Sequence, residues 1–547
     1  MAILYALISG LLMAASWPDW GWSPLMFLAW VPLLMVEERI LTDGKRYNNL
    51  RVFGLAYLTF LSWNICTTWW VMNASVGGAL LANLANSLLM ASVFTLFHTL
   101  RKRLPSARSA FYLPVVWLAF EYLHYDWDLS WPWLSLGNVF AGQYQLVQWY
   151  EFTGVSGGSL WILLVNVSFA RLLSLRNQVT PPLNLLSQAR KIILSILLPV
   201  LVSLFIYYNA ADKGTPVNVA VIQPNVDPYL EKFDERTFDT QTDKFIQLAG
   251  KCVSDSTDWL IGPETAIAGS VNEAEVAYED RIIRLDSLLN LYPRLNMLIG
   301  AETHRFYKPG MPHPAAARPL NYRPDVYFEA FNTALHLQKN SVKFYHKSKL
   351  VPGVEQMPFP AVFRFIEDWA IDLGGTTGSL GKQQERTVFR GYNPDHAAAP
   401  AICYESVFGD FIQDYVANGA SFIAVITNDG WWGDTPGYKQ HLAYARLRAI
   451  ENRRSIVRSA NTGISCLINQ RGDISHATSW WTATAFSGTI RANKSRTFFS
   501  LTGDIIGLSA VWLSCWMILW MYWRRFKRRD KILTGADGRP LNPDELS

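Results

Sequence analysis

Cysteine is scarce in this chain, and none of its five residues, Cys66, Cys252, Cys403, Cys466 and Cys515, stands in a CxxC pair or at metal-binding spacing from a histidine. That argues against a zinc site and a dense disulfide framework, and no metal or other cofactor is expected. Charge is thin as well. Charged residues make up 17%, and the net +5 comes from Lys and Arg clustered beside apolar runs, which does not fit a nucleic-acid footprint. The first eight residues have no Lys or Arg, so the basic start of a secretory signal is missing; 2–15 reads as an uncleaved helix rather than a signal ending near Ala14 or Ala15. No internal repeat or low-complexity run is evident.

Apolar residues make up half of the chain, yet mean hydropathy is only +0.09, which points to a mixture of lipid-embedded and water-facing parts. The 23 tryptophans suit the seam between hydrocarbon and headgroups. A bilayer core takes about 20 apolar residues per helix. Candidate spans fall at 52–72, 77–97, 111–123, 160–173, 192–208 and 505–523, with two shorter runs at 2–15 and 25–36, about eight in all. Pro199 inside the seventh is tolerable because neighbouring helices can satisfy the freed carbonyl. Lys and Arg collect on the cytoplasmic side in short loops. Arg39, Lys45, Arg46 and Arg51, then Arg101 to Arg103, then Arg190 and Lys191 share one side, and 17–23 and 126–158, which lack both residue types, alternate with them. The division expected is therefore a membrane domain of about seven spans over 1–212, an extracytoplasmic domain over 213–496, a last span over 497–523 and a basic cytoplasmic tail over 524–547.

The outer segment has a different texture. Short β-rich runs at 217–222, 259–261, 297–299, 333–337, 400–403 and 422–426 alternate with amphipathic stretches such as 439–452, the pattern of a layered α/β domain. Cys403, in PAICYESVFGD, sits where an apolar strand gives way to a helix start, a place where a thiol can be activated. Taken alone it reads first as a buried core cysteine. Glu264, in LIGPETAI, closes a short strand, and a carboxylate partly stripped of water there can take up a proton near neutrality. Lys347, in FYHKSKLVPGVE, follows an alternating run in which Tyr345 and Lys347 share one face. Trp431 and Trp432, in TNDGWWG, suit either a mobile loop or an anchor on lipid. Lys232 and Phe233 give only a weak local signal, and the histidines, His441 included, show no ligand spacing.

GPETAI, YHKSKLVPGVE and AICYES, in that order, resemble the three catalytic motifs of the nitrilase, or carbon-nitrogen hydrolase, superfamily. SWPDWGWSPLMFLAWVPLL, SWPWLSLGN, FTGVSGGS and TNDGWWG are similar to the apolipoprotein N-acyltransferase family. The resemblance implies an αββα sandwich with Glu264 as general base, Lys347 steadying the tetrahedral intermediate and Cys403 as nucleophile. It also implies supporting places for Glu355, Tyr404, Glu405 and Asn332. Implied too are a phospholipid acyl donor, a diacylated apolipoprotein acceptor, a monomeric enzyme in a bacterial inner membrane and a periplasmic catalytic domain. One departure is that the usual LVPFGE reads LVPGVE here, at Gly353 and Val354. The rivals are an amidase with the same triad that uses water as second nucleophile, and a transporter or scaffold; against the latter, intramembrane charges are sparse, Glu121 being the main one. Whether Cys252 and Cys466 pair stays open.

Overall fold

The computed structural model describes residues 1–43, 47–176, 182–357, 359 and 379–534. Lys45, Arg46 and the tail beyond Thr534, which bear on the expected orientation, lie outside them. Among the described residues, four helices are long and apolar enough to cross a membrane: Val76–Arg103, Tyr150–Ser174, Leu185–Asn209 and Ile505–Lys527. Two shorter apolar helices are Ala2–Ala15 and Ser109–Leu123. The expected span at 52–72 is the helix Asn48–Thr68, threaded with buried polar residues, Thr59, Asn64 and Thr67 among them. Only 11% of Leu185–Asn209 and 22% of Ile505–Lys527 is buried within the protein. Leu194, Leu198, Leu201, Phe205, Trp512 and Trp516 stand exposed on these two helices, an apolar surface that water would not tolerate.

Polar side chains stitch the helices together. Asn166 is buried, accepts from the Trp30 N–H at 3.0 Å and donates to the Met26 carbonyl at 2.8 Å, closing the chain break before the helix Val31–Thr42. Glu121 Oε1 accepts from the Trp117 indole at 3.0 Å and from the Leu136 N–H at 2.8 Å. Glu37 pairs with His98 at 2.7 Å and with Arg101, tying Val31–Thr42 to Asn86–Arg103.

Among the described residues, fourteen strands build two sheets. The first runs β14(Thr484–Ala492), β1(Thr215–Gln223), β2(Trp259–Ile261), β4(Asn296–Tyr307), β6(Arg323–Gln338) and β5(Arg318–Leu320), with β3(Ile267–Asn272) on β4 and β7(Ser341–His346) on β6. The second runs β13(Ile474–Ser475), β12(Cys466–Ile468), β11(Ile456–Ala460), β10(Phe422–Thr427), β9(Ala397–Ile402) and β8(Phe389–Arg390). Strand alternation sorts the residues into layers. Val217, Val219 and Val221 join the core shared with the second sheet, whereas Ala220 and Ile222 pack with Phe245, Leu248, Ile282 and Leu285 of the helices Phe238–Ala249 and Asp280–Leu291. Between the sheets the Trp259 ring meets Phe422 edge-on at 5.6 Å. β1–β2–β4 and β9–β10–β11 are parallel. Their C-terminal ends gather on one side, the ordinary place for a site in such sheets. Cys252 and Cys466 are both free.

Replacing Asn166 by Leu orphans a buried N–H and a buried carbonyl, at about 1–3 kcal/mol for each group. Thermal unfolding in detergent micelles is expected to show N166L well below the parent, with Asn166→Gln in between.

Candidate active site

Glu264, Lys347 and Cys403 follow the ends of β2, β7 and β9. Gly262 and Pro263 carry the chain from β2 over β4, where Gly300 permits the crossing: a Cβ there would lie 2.7 Å from the Glu264 Cα and 2.4 Å from the Thr265 nitrogen. Lys347 is set by its own N–H, which donates to the Asn332 carbonyl of β6 at 2.8 Å. Its ammonium, 1% exposed, reaches Glu264 Oε1 at 3.2 Å and Glu355 Oε1 at 2.8 Å. The Asn332 amide donates to the same two carboxylates, at 2.7 Å and 3.3 Å. The second Glu264 oxygen accepts from the Asn428 N–H at 3.1 Å. Tyr345 shares the Lys347 face as the alternation predicts, while His346 turns away to stack on Phe331.

Cys403 has a φ of +49°, left-handed for a residue with a Cβ, and opens a tight turn, Cys403–Val407; the helix itself starts only at Gly409. Such a conformation persists only where its surroundings impose it. Here Glu405 does so. One of its oxygens accepts from the Ile402 N–H at 2.8 Å, and the other accepts from the Tyr345 hydroxyl and the Ser348 N–H, each at 2.6 Å. The nucleophile turn and the lysine segment therefore share one buried carboxylate. From behind, the Cys403 carbonyl accepts from the Ser406 hydroxyl at 2.8 Å and lies 3.1 Å from His441 Nε2. His441 in turn meets Asp429 at 3.0 Å, and Asp429 is held by Arg458 at 2.5 Å. His441 reads from the sequence as a bland imidazole; nothing in its spacing signals this contact.

Electrostatics separates the three groups. Burial pushes the Cys403 thiol far up, and the Glu264 carboxylate adds to the rise, against Lys347 and the Thr427 hydroxyl. At rest the sulfur is a thiol that needs a base, not the ready thiolate a strand-to-helix turn suggested. Burial also works against ionised Glu264, yet Lys347, Asn332 and Lys232 outweigh it and hold the carboxyl below its usual value. Burial would lower the Lys347 ammonium, but Glu264 and Glu355 hold it well above the ordinary lysine range. Burial pushes Glu405 up to about 7 against its donors.

Tyr404 points away from this cluster. Its hydroxyl donates to the Ser130 carbonyl at 2.9 Å and its ring stacks near Trp131. The two tryptophans divide. Trp432 packs edge-on against Trp70 at 4.9 Å and Trp133 at 5.7 Å, and its carbonyl accepts from Asn73, whereas Trp431 meets Tyr229 and Phe233. An apolar cavity of about 50 Å³ lies beside the lysine segment, walled by Val351, Pro352 and Val354 on one side and by Leu81, Ala85 and Leu89 of the apolar helix Val76–Arg103 on the other. The LVPGVE departure thus has a place: Gly353 turns with a φ of +79° and Val354 lines that cavity.

A family model described as carbon-nitrogen hydrolase matches residues 218–498, and one described as apolipoprotein N-acyltransferase N-terminal domain matches residues 9–168. An apolipoprotein N-acyltransferase from Chlorobaculum tepidum is 29% identical over 518 residues, covering 91% of this chain and 92% of that protein. One of the same name from Geobacter metallireducens is 28% identical over 93% of each chain. Among solved structures, Nit3 of Saccharomyces cerevisiae, a member of branch 10 of the nitrilase superfamily, is 12% identical with a TM-score of 0.36, over 54% of this chain and 97% of its own.

Glu405→Gln puts an NH2 against hydrogen-bond donors, and a destabilisation of about 1–3 kcal/mol per orphaned donor is expected, read as a lower melting temperature together with slower alkylation of Cys403. A second expectation concerns pH. Glu264 is ionised above its depressed pKa and loses its charge as pH falls through it. Asn332→Leu removes a donor to the carboxylate, so the acid limb of Cys403 alkylation by iodoacetamide should move to higher pH; an unmoved limb would mean that Glu264 is not the proton acceptor.

Proposed function

The chain belongs to the carbon-nitrogen hydrolase family, and from that premise we propose that it is an N-acyltransferase of lipoprotein maturation, built into the inner membrane of a bacterium. Its relatives of full length carry the name apolipoprotein N-acyltransferase. The observation that carries the reading is the buried Glu264, Lys347 and Cys403 cluster, whose lysine segment runs on through Val351 to Val354 into the wall of an apolar cavity that faces an apolar helix long enough to cross a membrane. A water-soluble amide has no use for that wall.

The reaction runs in two halves through a thioester. Glu264 takes the thiol proton as the Cys403 sulfur attacks the carbonyl carbon of a phospholipid acyl ester. Lys347, with the Tyr404 backbone N–H in the first turn after Cys403, stabilises the oxyanion. The C–O bond breaks, and Glu264 returns the proton to the departing lysophospholipid oxygen. The α-amino group of a diacylglyceryl-cysteine then attacks the thioester and gives a proton to Glu264. The C–S bond breaks, the amide leaves, and the sulfur regains its proton. Glu355 fixes Lys347 so that its ammonium faces the intermediate rather than transferring its own proton. Water has to stay out, since it would hydrolyse the thioester.

The helices Ala2–Ala15, Val31–Thr42, Asn48–Thr68 and Ser109–Leu123 complete about eight crossings with the four long ones. The catalytic domain then faces the periplasm and the chain acts as a monomer. Purified protein given phospholipid with a radiolabelled acyl chain should retain label on Cys403, release it on adding a diacylated lipopeptide, and retain none as Cys403→Ala. Label that leaves only as free fatty acid, with or without lipopeptide, would make the protein a hydrolase.

A further inference from the structure

Lys232 lies in the loop between β1 and the helix Phe238–Ala249 and is 5% exposed. Among the described residues its ammonium makes no salt bridge; its one hydrogen bond runs 3.4 Å to the Glu264 carbonyl oxygen. A buried ammonium without a close carboxylate is costly and needs compensation from charges nearby. The charges that act on it are Glu264 after β2, Glu302 on β4 and the sulfur of Cys403. Its chain neighbours explain how it stays there. The Tyr229 hydroxyl donates to the carbonyls of Trp431 and Asn73, and Phe233 stacks on Trp431. The loop is thus pinned to both halves of the molecule.

A charge count around the sulfur shows what is missing without it. Lys347 already faces two carboxylates, Glu264 and Glu355. The cluster therefore carries one unbalanced negative charge; when Glu264 takes the thiol proton that charge moves onto the sulfur, and then onto the oxyanion, in a dry site where such an imbalance is expensive. Asp429 also acts on the sulfur, but its charge is already met by Arg458. We propose that Lys232 is the second cation of the active site, a positioning residue that acts through Glu264 and Cys403 by balancing the negative charge that passes from Glu264 to the sulfur when the thiol is deprotonated. Burial draws its ammonium down to about 8, against the pull of Glu264 and Glu302, so the charge is still present at neutral pH.

The test uses the full-length protein in detergent and the pH dependence of Cys403 alkylation by uncharged iodoacetamide, a readout that needs no lipid and so stands apart from the acyltransferase reading. Lys232→Gln keeps a donor for the Glu264 carbonyl and drops the charge; Lys232→Arg keeps the charge. The glutamine variant is expected to shift the profile to higher pH by about one unit or more, a roughly tenfold loss of rate at neutral pH. The arginine variant should stay within about threefold of the parent. A glutamine profile that overlays the parent would assign the residue to hydrogen bonding alone and overturn the proposal. Loss of the thermal transition in both variants would show a packing requirement and overturn it too.

Discussion

The arrangement depends on one buried ammonium shared between two carboxylates. Lys347 could not stay charged at 1% exposure without Glu264 and Glu355, and Glu264 could not stay ionised without Lys347. Taking one partner away leaves a buried charge uncompensated, a loss of about 3–5 kcal/mol. Asn332 makes the sharing geometric, since its amide touches both carboxylates and its carbonyl holds the Lys347 backbone. The lysine is therefore a fixed charge. Such a charge suits an intermediate that becomes negative, because nothing has to reorganise as the oxyanion forms.

A second buried carboxylate links that fixed charge to the sulfur. Glu405 spans the Ile402 N–H on one segment and the Tyr345 hydroxyl and Ser348 N–H on the other, so the distance between nucleophile and ammonium is set by hydrogen bonds rather than by loop stiffness. The left-handed φ of Cys403 is held by this clamp in front and by Ser406 and His441 behind. Burial keeps the sulfur protonated until a base acts, which spares it the oxidation to which a standing thiolate would be open.

Much of this was legible in the residues. The apolar runs at 217–222, 259–261 and 422–426 are strands almost to the residue, because two-sided burial leaves an uninterrupted β-branched signature. β6 runs to 16 residues although only 333–337 stood out, since its N-terminal half is a polar hairpin arm paired with β4 outside the core. β11 was missed because a strand holding Arg458 and Ser459 breaks the apolar pattern, and only the buried Asp429 makes that arginine tolerable. Lys232 gave only a weak signal for a related reason: a single cation in a polar loop has no periodic partner, and its burial follows from the long-range contacts of Tyr229 with Trp431 and Asn73. The tryptophan pair shows the same limit. Two identical neighbours received two different environments, which composition cannot foretell.

Aromatic side chains join the catalytic domain to the helices, beside ion pairs at Lys349–Asp126, Lys439–Asp19 and Arg453–Glu151. Trp432 sits between Trp70 at the end of the helix Asn48–Thr68 and Trp133 of the long lysine-free loop, and Trp133 donates its indole N–H to Gln440 at 2.7 Å. Tyr404, next to the nucleophile, leans on the same loop through Ser130 and Trp131. An ion-pair seam would weaken with salt and draw in water, whereas stacked indoles exclude it and still offer a polar edge. The seam thus does two things at once. It locks the catalytic turn to the membrane-facing cavity, and it keeps water from the path by which an acyl chain is proposed to reach the sulfur. The proposed transfer needs both, because a thioester is only useful for transfer while the amine arrives before water does.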